Sequence, residues 1–432
     1  MASTPSAPRN WLPLLLPLVL LGVVIGIACL PLNAIDAWVN RVLAHGFAVG
    51  LPLPQQLLPL LLVPLLIYLQ QGPLAVGKGS GIPQTVVCLE DPQQSDQLLA
   101  LKPLLFRIGL WSLASFGLFP LGREGPVVFV GAALVWLLRP LWQRPLGQLG
   151  MPLLLAAAGG AGLAAGFNTP LAAVIFAAED LLQRLSVPLI WSALLVALPA
   201  ALVAAIGGEQ LNAYGLVSAS GSELGQILAG LLLGVVGGLL GALFSGALLF
   251  ATERFAPLLV KRPLQVGLLL GAALAAMGLI TSGRVYGDGS AVVADLISRG
   301  GNLPYGEGLK ALVARIVGPV LVSGIGIPGG LIDPALAMGA LAGNLLRPLL
   351  DSEGALLGIT LGMAAGLSGT IQLPLFSTLF AMELCGSQEL LPGLLTTAIV
   401  AAFVSRALQP LPVYHGLTQL FIRSQAQSAP RR

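Results

Sequence analysis

Charge is what this 432-residue sequence has least of. Asp, Glu, Lys and Arg together make up 9% of the residues, against about a quarter in soluble domains. Hydrophobic residues make up 56%, and the mean hydropathy is +0.91. These values exclude a soluble globular protein and indicate a polytopic membrane protein surrounded by the lipid bilayer. The net charge of +3 is too small for a nucleic-acid-binding surface, so no nucleic-acid partner is expected.

Histidine and cysteine are also scarce. The two histidines and the three cysteines, Cys29, Cys88 and Cys385, show no metal-ligand spacing, so no metal is predicted. The segment "GPLAVGKG" at 72–79 approaches a phosphate-binding loop, but Gly79 stands where Ser or Thr must follow the lysine. We therefore expect no cofactor and no ATPase or other enzymatic activity.

Apolar segments recur along nearly the whole chain, yet several are shorter than the roughly 20 residues that a helix needs to cross the hydrocarbon. Many end at clusters of glycine and proline. Such helices are tolerated at membrane depth only where the freed backbone is buried in protein or lines a cavity. The pattern therefore predicts broken or re-entrant helices.

The sequence contains an internal repeat. "GREGPVVFVGAALVWLLRPL" at 122–141 matches "GLIDPALAMGALAGNLLRPL" at 330–349, and "GLAAGFNTPLAAVIFAAEDL" at 162–181 matches "GLSGTIQLPLFSTLFAMELC" at 366–385. Duplicated halves with interrupted helices are typical of transporters whose site lies where the repeats meet. The predicted organisation is a tail (1–10), a first membrane repeat (11–206), a connection (207–225), a second membrane repeat (226–423) and a basic tail (424–432).

Three places along the chain predict helix starts that face an anion. Pro126 and Pro334 are each expected to open a helix, because proline suits the first helical position. The segment "GSGIPQ" at 79–84 adds the Ser80 hydroxyl ahead of a third start, whereas "GIGIPGG" at 324–330 is a local echo outside the repeat register. Backbone N–H groups at converging helix starts bind an anion without a buried lysine.

In the order "GSGIP", "GREGP", "GGLIDP" and "PVYHGL", these motifs resemble those of the CLC chloride channels and chloride/proton antiporters, and the resemblance covers residues 12 to 423. It implies an all-α membrane protein with the CLC fold, two inverted-topology repeats of tilted and broken helices. It also implies a homodimer in which each subunit has its own pore. The sequence shows no CBS pair, which suggests a protein of the prokaryotic plasma (inner) membrane. Inverted halves place both termini on one side, and the basic tail "RSQAQSAPRR" puts that side in the cytoplasm.

The resemblance also assigns roles to residues. The chloride ion would be bound by Ser80, Gly81, Leu331, Ile332 and Tyr414. The selectivity motif would be formed by Gly122, Arg123, Gly125 and Pro126 around the gate, Glu124. A carboxylate just ahead of a helix-opening proline competes for the helix end that an anion would otherwise occupy, and protonation would release that end.

Three of these residues have simpler interpretations. Glu124 would be structural if it formed an ion pair with Arg123. Ser80 would be structural if it only capped a helix. Tyr414 would be an interfacial residue if it lay at the membrane surface.

A second acid decides between antiport and a passive, voltage- or pH-gated chloride channel. The resemblance places the proton acceptor at Asp180, with Glu179 beside it as a possible part of the proton pathway. The alternative is that both acids mark a solvated helix end. Glu383 is the repeat partner of Glu179, whereas Leu384 lies opposite Asp180. Retention of Ser80 and of the late tyrosine favours chloride over fluoride.

Two departures from the family pattern stand next to the repeat of the gate. Ile332 replaces the usual Phe, and Asp333 precedes Pro334. Asp333 is predicted to cap the helix with its carboxylate turned away from the pore. Arg107 and Arg315 are expected to raise the local anion concentration.

Overall fold

The computed structural model describes residues 11–217, 222–350 and 354–428. Residues 1–10, part of the connection between the repeats and the end of the basic tail therefore lie outside the description. Within the described ranges the chain forms twenty α-helices: α1 (Leu12–Val49), α2 (Leu53–Leu57), α3 (Pro59–Gln71), α4 (Ile82–Glu90), α5 (Ser95–Leu98), α6 (Leu101–Phe116), α7 (Glu124–Leu137), α8 (Arg139–Leu146), α9 (Met151–Phe167), α10 (Pro170–Phe176), α11 (Val187–Ile206), α12 (Glu223–Lys261), α13 (Pro263–Ile280), α14 (Ser290–Ser298), α15 (Tyr305–Gly324), α16 (Ile332–Leu345), α17 (Gly354–Ile371), α18 (Pro374–Cys385), α19 (Leu391–Leu408) and α20 (Val413–Ser428).

Only some of these helices can cross a membrane by themselves. Across the described residues seven helical segments are long and apolar enough to span a bilayer, or up to nine if two bent helix pairs each count as one span. By contrast, α7 and α16 have 14 residues each, which gives about 21 Å of helix, less than the roughly 30 Å of hydrocarbon. The predicted broken helices are therefore confirmed, and their ends lie in the buried interior.

The two halves are related by a pseudo-two-fold axis. Helices α4 and α14 have nine residues each and begin 208 positions apart, as do α7 and α16. The equivalent residues Gly122 and Gly330 form an isolated antiparallel bridge, in which each N–H donates to the other carbonyl at 3.2 and 2.8 Å. Reciprocal bonds between equivalent residues indicate that the axis passes through this bridge.

Two buried arginines repeat the same anchoring contact in each half. Arg107 donates to the carbonyl of Gly79 at 3.0 Å, and Arg315 donates to the carbonyl of Gly287 at 2.7 Å. Each guanidinium also donates to the carbonyl of the residue before that glycine. These arginines fix the loops ahead of α4 and α14, which gives them an anchoring role; their expected effect on the local anion concentration stays a prediction.

Glycines allow the helices to pack backbone against backbone. A methyl group on Gly234 would lie 2.9 Å from the carbonyl oxygen of Thr397, and one on Gly238 would lie 2.8 Å from that of Ala401. Both glycines belong to α12, and both carbonyls belong to α19. Small residues at four-residue spacing permit this close approach in membrane proteins.

Candidate functional site

The starts of three helices converge beside the Gly122–Gly330 bridge. Helices α7 and α16 begin two residues after it, and a methyl group on Gly125 would lie 2.4 Å from the Ser80 hydroxyl that precedes α4. Each helix presents its positive end and its free N–H groups. Pro126 and Pro334 are the third residues of α7 and α16 instead of the first. Proline is accommodated there because the early N–H groups of a helix need no intrahelical partner.

Glu124 lies at this meeting point and is fully buried. Its Oε1 accepts a hydrogen bond of 2.7 Å from the backbone N–H of Asp333, the second residue of α16. Its Oε2 has no hydrogen-bond partner among the described residues. The carboxylate of the first half therefore occupies the positive helix end of the second half. The N–H group that it uses lies one residue beyond the Leu331 and Ile332 groups named from the sequence.

The glycines of the bridge make room for this carboxylate. A methyl group on Gly122 would lie 1.9 Å from Glu124 Oε2, and one on Gly330 would lie 1.7 Å from the same atom. Neither distance is compatible with a side chain unless the carboxylate moves. Glycine at both positions thus sets where Glu124 rests.

Arg123 does not pair with Glu124. Its guanidinium donates to Asp36 at 2.8 Å and lies 2.9 Å from the carboxylate of Glu209. The interpretation of Glu124 as the ion-pair partner of Arg123 is therefore wrong. Asp36 and Glu209 were not found from the sequence, since each lies far along the chain from Arg123 and belongs to no motif.

The Ser80 and Tyr414 hydroxyls are buried polar groups without hydrogen-bond partners in the described part of the chain. The Gly81 N–H donates to the Gln84 side chain at 3.0 Å, so the start of α4 is capped by Gln84, not by Ser80. Tyr414 is 1% exposed, so it does not lie at the membrane surface. Its hydroxyl is next to the Leu331 amide without a hydrogen bond of normal geometry. Both simpler interpretations are wrong, and Gly81 has no free N–H for an ion.

Asp180 lies in a π-helical turn, Ala177–Leu181, that follows α10. It is 1% exposed, and its Oδ2 has no partner within the ranges described. The equivalent part of α18 is regular α-helix, and π-turns often occur at functional sites. Tyr414 interacts electrostatically with both Glu124 and Asp180. Asp180 is therefore buried on the tyrosine side of the site, and the interpretation of it as a solvated helix end is wrong.

Glu179 has a different environment from its neighbour. Its carboxylate accepts hydrogen bonds of 3.2 and 2.8 Å from two N–H groups at the start of α18. Glu383 returns the same contact, because it accepts bonds of 3.2 and 2.9 Å from two N–H groups at the start of α10. The two glutamates cap each other's helices across the pseudo-two-fold axis.

Metal ligands do not gather at this site or elsewhere in the described residues, where no group of three or more His, Cys, Asp or Glu side chains could hold a metal ion. The arrangement instead offers unpaired hydroxyls and N–H groups around one buried carboxylate. Such donors suit an anion.

Two inverted membrane halves with converging helix starts and a buried acid define an ion-transport protein. A sequence profile of the family described as "Voltage gated chloride channel" matches residues 61–406. The chain belongs to this family, the CLC family, and is a multi-pass membrane transporter with the CLC fold.

Individual relatives agree with this assignment. The chain is 30% identical to the H(+)/Cl(-) exchange transporter ClcA of Vibrio campbellii over 78% of its own length and 73% of the relative's. It is 27% identical to ClcA of Cronobacter sakazakii over 95% of its own length and 90% of the relative's. The crystal structure of a slow cyanobacterial Cl-/H+ antiporter matches with a TM-score of 0.76 at 23% identity, covering 96% of this chain and 99% of that one. The crystal structure of a CLC-type fluoride/proton antiporter matches with a TM-score of 0.73 at 25% identity, covering 93% of this chain and 98% of that one.

Proposed function

We propose that this protein exchanges chloride for protons, with Glu124 as both gate and proton carrier. One observation carries the proposal: the Glu124 carboxylate accepts the N–H bond of Asp333 at the positive end of α16. A carboxylate at that place excludes a second anion. Relatives named as H(+)/Cl(-) exchange transporters support the same activity.

Exchange follows from competition for one site. When Glu124 takes up a proton, it loses its charge and with it the advantage of a charge-assisted hydrogen bond over a neutral one. Chloride then occupies the vacated helix end, where the hydroxyls of Ser80 and Tyr414 and the N–H groups of Leu331 and Ile332 serve as donors. Gly81 contributes its left-handed backbone, with φ of 109°, which directs the chain into α4. When the proton leaves, the carboxylate returns and displaces the ion.

Protons need their own route to Glu124. Asp180 is the proposed acceptor, since it is buried with an unpartnered oxygen and Tyr414 interacts with both acids. Glu179 supports this route only indirectly, because its carboxylate already caps α18. A passive chloride channel is the alternative, and it would need Glu124 but no proton acceptor.

Chloride is the proposed anion because the chain keeps both Ser80 and Tyr414. The similarity to a fluoride/proton antiporter makes fluoride the competing ion to test. We further propose a homodimer in the prokaryotic plasma membrane with both termini in the cytoplasm. The proposed repeats are 11–206 and 226–423, joined through 207–225.

The test is a flux measurement on purified protein in liposomes. A chloride gradient at equal pH is expected to drive protons uphill in the wild type. Glu124→Gln is expected to abolish proton movement while chloride still moves, because the amide cannot carry a proton. Glu253→Gln, an exposed acid of α12 with a 59% exposed side chain, is the matched control and retains coupling. Chloride movement at the chloride Nernst potential without protons in the wild type would establish the channel instead, and a fluoride gradient in parallel liposomes would identify the ion.

A further inference from the structure

The second half holds buried acids where the first half does not. Asp288 is the repeat equivalent of Ser80, and Asp333 is the equivalent of Gly125. Both aspartates are 2% exposed. The mechanism proposed above uses the backbone N–H of Asp333 but neither carboxyl group, so these side chains require an explanation of their own.

The carboxyl groups form a connected series that starts at the gate. Glu124 accepts the 2.7 Å bond from the Asp333 backbone N–H, and a methyl group on Gly289, next to Asp288, would lie 3.3 Å from the Asp333 carbonyl oxygen. The Asp288 carboxyl group is a neighbour of the carboxyl group of Asp36, on α1. Asp36 interacts with Glu209, whose side chain is 15% exposed. The series therefore connects fully buried Glu124 with a partly exposed acid.

Too few positive charges face this series to balance it. Arg123 contacts Asp36 and Glu209, whereas the guanidinium of Arg315, near Asp288 and Asp333, donates to three backbone carbonyls. Neutral groups also face the series: the Asn40 amide donates to Asp36 at 3.0 Å, the Ser290 hydroxyl and N–H donate to Asp288 at 2.9 Å, and the Tyr214 hydroxyl lies near Ser290. Buried carboxylates without matching cations are costly. Neighbouring carboxylates repel each other, and a proton shared between them relieves the repulsion.

Unpartnered oxygen atoms occur at the inner end of the series. Glu124 Oε2 and Asp333 Oδ2 are both buried and lack hydrogen-bond partners among the residues described. Each oxygen is able to receive a proton without breaking an existing bond. Asp333 is the second residue of α16, so it is not the N-cap predicted from the sequence, because Leu331 occupies that position.

The repeat relation places Asp288 on the opposite side of the gate from Ser80. The pseudo-two-fold axis runs through the Gly122–Gly330 bridge and exchanges Ser80 with Asp288. Because inverted repeats are related by an axis in the membrane plane, the surroundings of Ser80 and of Asp288 face opposite sides of the membrane. A proton that reaches Glu124 from the Asp180 side therefore meets the aspartate series on its way out.

We propose that Asp333, Asp288 and Asp36 form a second proton path, which joins Glu124 to Glu209 and the solvent beyond. The inference rests on the proposed antiport. In each step the O–H bond of one carboxyl group breaks as an O–H bond forms on the next carboxylate. The proton passes from Glu124 to Asp333, then to the Asp288 and Asp36 pair, which releases a proton towards Glu209. The path is reversible and needs no other reactant.

The test compares Asp333→Asn and Asp288→Ser with the wild type in chloride-driven proton flux. Asp288→Ser introduces serine, which is the residue at the equivalent position, Ser80, in the first half. Loss of one positioned proton-transfer group is expected to slow proton flux by about tenfold or more. Asp333→Glu is expected to restore flux because it restores a carboxyl group. Asp295→Asn, which neutralises an acid paired with Arg299, is the matched control and is expected to retain wild-type flux.

A second background separates a proton path from a structural role. In Glu124→Ala protein, which is expected to carry no protons, the added Asp333→Asn is expected to leave passive chloride flux unchanged. A protonated-carboxyl infrared band in the wild type is expected to be lost in Asp288→Ser. Proton flux at the wild-type rate in both Asp333→Asn and Asp288→Ser would overturn the path and leave the antiport intact. Absence of coupling in the wild type would overturn the antiport and the path together, and an equal loss of chloride flux in both backgrounds would mark Asp333 as structural.

Discussion

Replacing Gly330 with alanine is expected to expel the Glu124 carboxylate from its resting place. The added methyl group would lie 1.7 Å from Oε2 and 2.2 Å from the carboxyl carbon. The backbone of Gly330 tolerates alanine, because its φ is not in the left-handed region. The methyl group cannot retreat, because the bridge to Gly122 fixes the backbone in both directions.

The magnitude follows from the bond that is lost. The carboxylate gives up its 2.7 Å bond from the Asp333 N–H, and hydrogen bonds to charged groups contribute about 1.5–3 kcal/mol. Since about 1.4 kcal/mol corresponds to tenfold in an equilibrium constant, the tethered competitor becomes about 10- to 100-fold weaker. Chloride is then expected to bind more tightly by up to the same factor.

Isothermal titration calorimetry of purified protein measures this directly. Gly109→Ala is the matched control, because a methyl group there meets nothing within 4 Å. The Gly330→Ala change is also made in Glu124→Ala protein, where it should have no further effect, since the competitor is already gone. Unchanged affinity in the wild-type background would refute the reasoning. Equal weakening in both backgrounds would also refute it, because the methyl group would then obstruct the ion itself.

Two further predictions concern the acids and hydroxyls around Glu124. Asp180→Asn is expected to suppress chloride-driven proton flux in liposomes, and full coupling in this variant would remove Asp180 from the proton route. Glu179→Gln is expected to keep coupling but to lose about 1.5–3 kcal/mol of stability, because an amide has one acceptor oxygen for two N–H groups. Ser80→Ala and Tyr414→Phe are each expected to weaken chloride binding by about tenfold, since each removes one donor to an anion; unchanged binding in both by calorimetry would move the anion site elsewhere.

The repeat and the helix starts could be predicted from sequence because both depend on local signals. Proline and glycine mark where a helix begins, and the 208-residue offset relates Glu124 to Ile332 without any structure. The broken helices followed from length alone. A carboxylate at a helix start could also be anticipated, because helix starts attract negative charge, but the sequence pointed to the start of α7 and the structure places Glu124 at the start of α16.

Contacts between distant segments could not be predicted in the same way. Asp36 lies in the long helix α1 and meets Arg123 across 87 positions of the chain. The hydrogen bonds of Arg107 and Arg315 also escaped prediction, because their acceptors are backbone carbonyls, which are invisible in a residue pattern. Asp333 was predicted as a cap because aspartate is common there, but the bridge sets the start of α16 at Ile332.

The pairs that match across the pseudo-two-fold axis support the backbone. Arg107 and Arg315 fix equivalent loops, and Glu179 and Glu383 cap equivalent helices. The hydrogen bonds of all four side chains go to backbone groups. Repeated polar residues are therefore explained by the architecture, because both halves have the same backbone groups to satisfy.

The unmatched polar residues are the ones that the architecture does not require. In the repeat, Glu124 is equivalent to Ile332, and Asp180 is equivalent to Leu384. Both apolar residues are buried, with exposures of 0% and 2%. A hydrophobic side chain thus fills each of these places without loss of fold. The acids also retain unpartnered oxygens within the described structure, which a purely structural carboxylate would be expected to satisfy. A symmetric frame would treat both sides of the membrane alike. Acids present in only one half give the two sides different proton chemistry, which coupled exchange through a single gate requires.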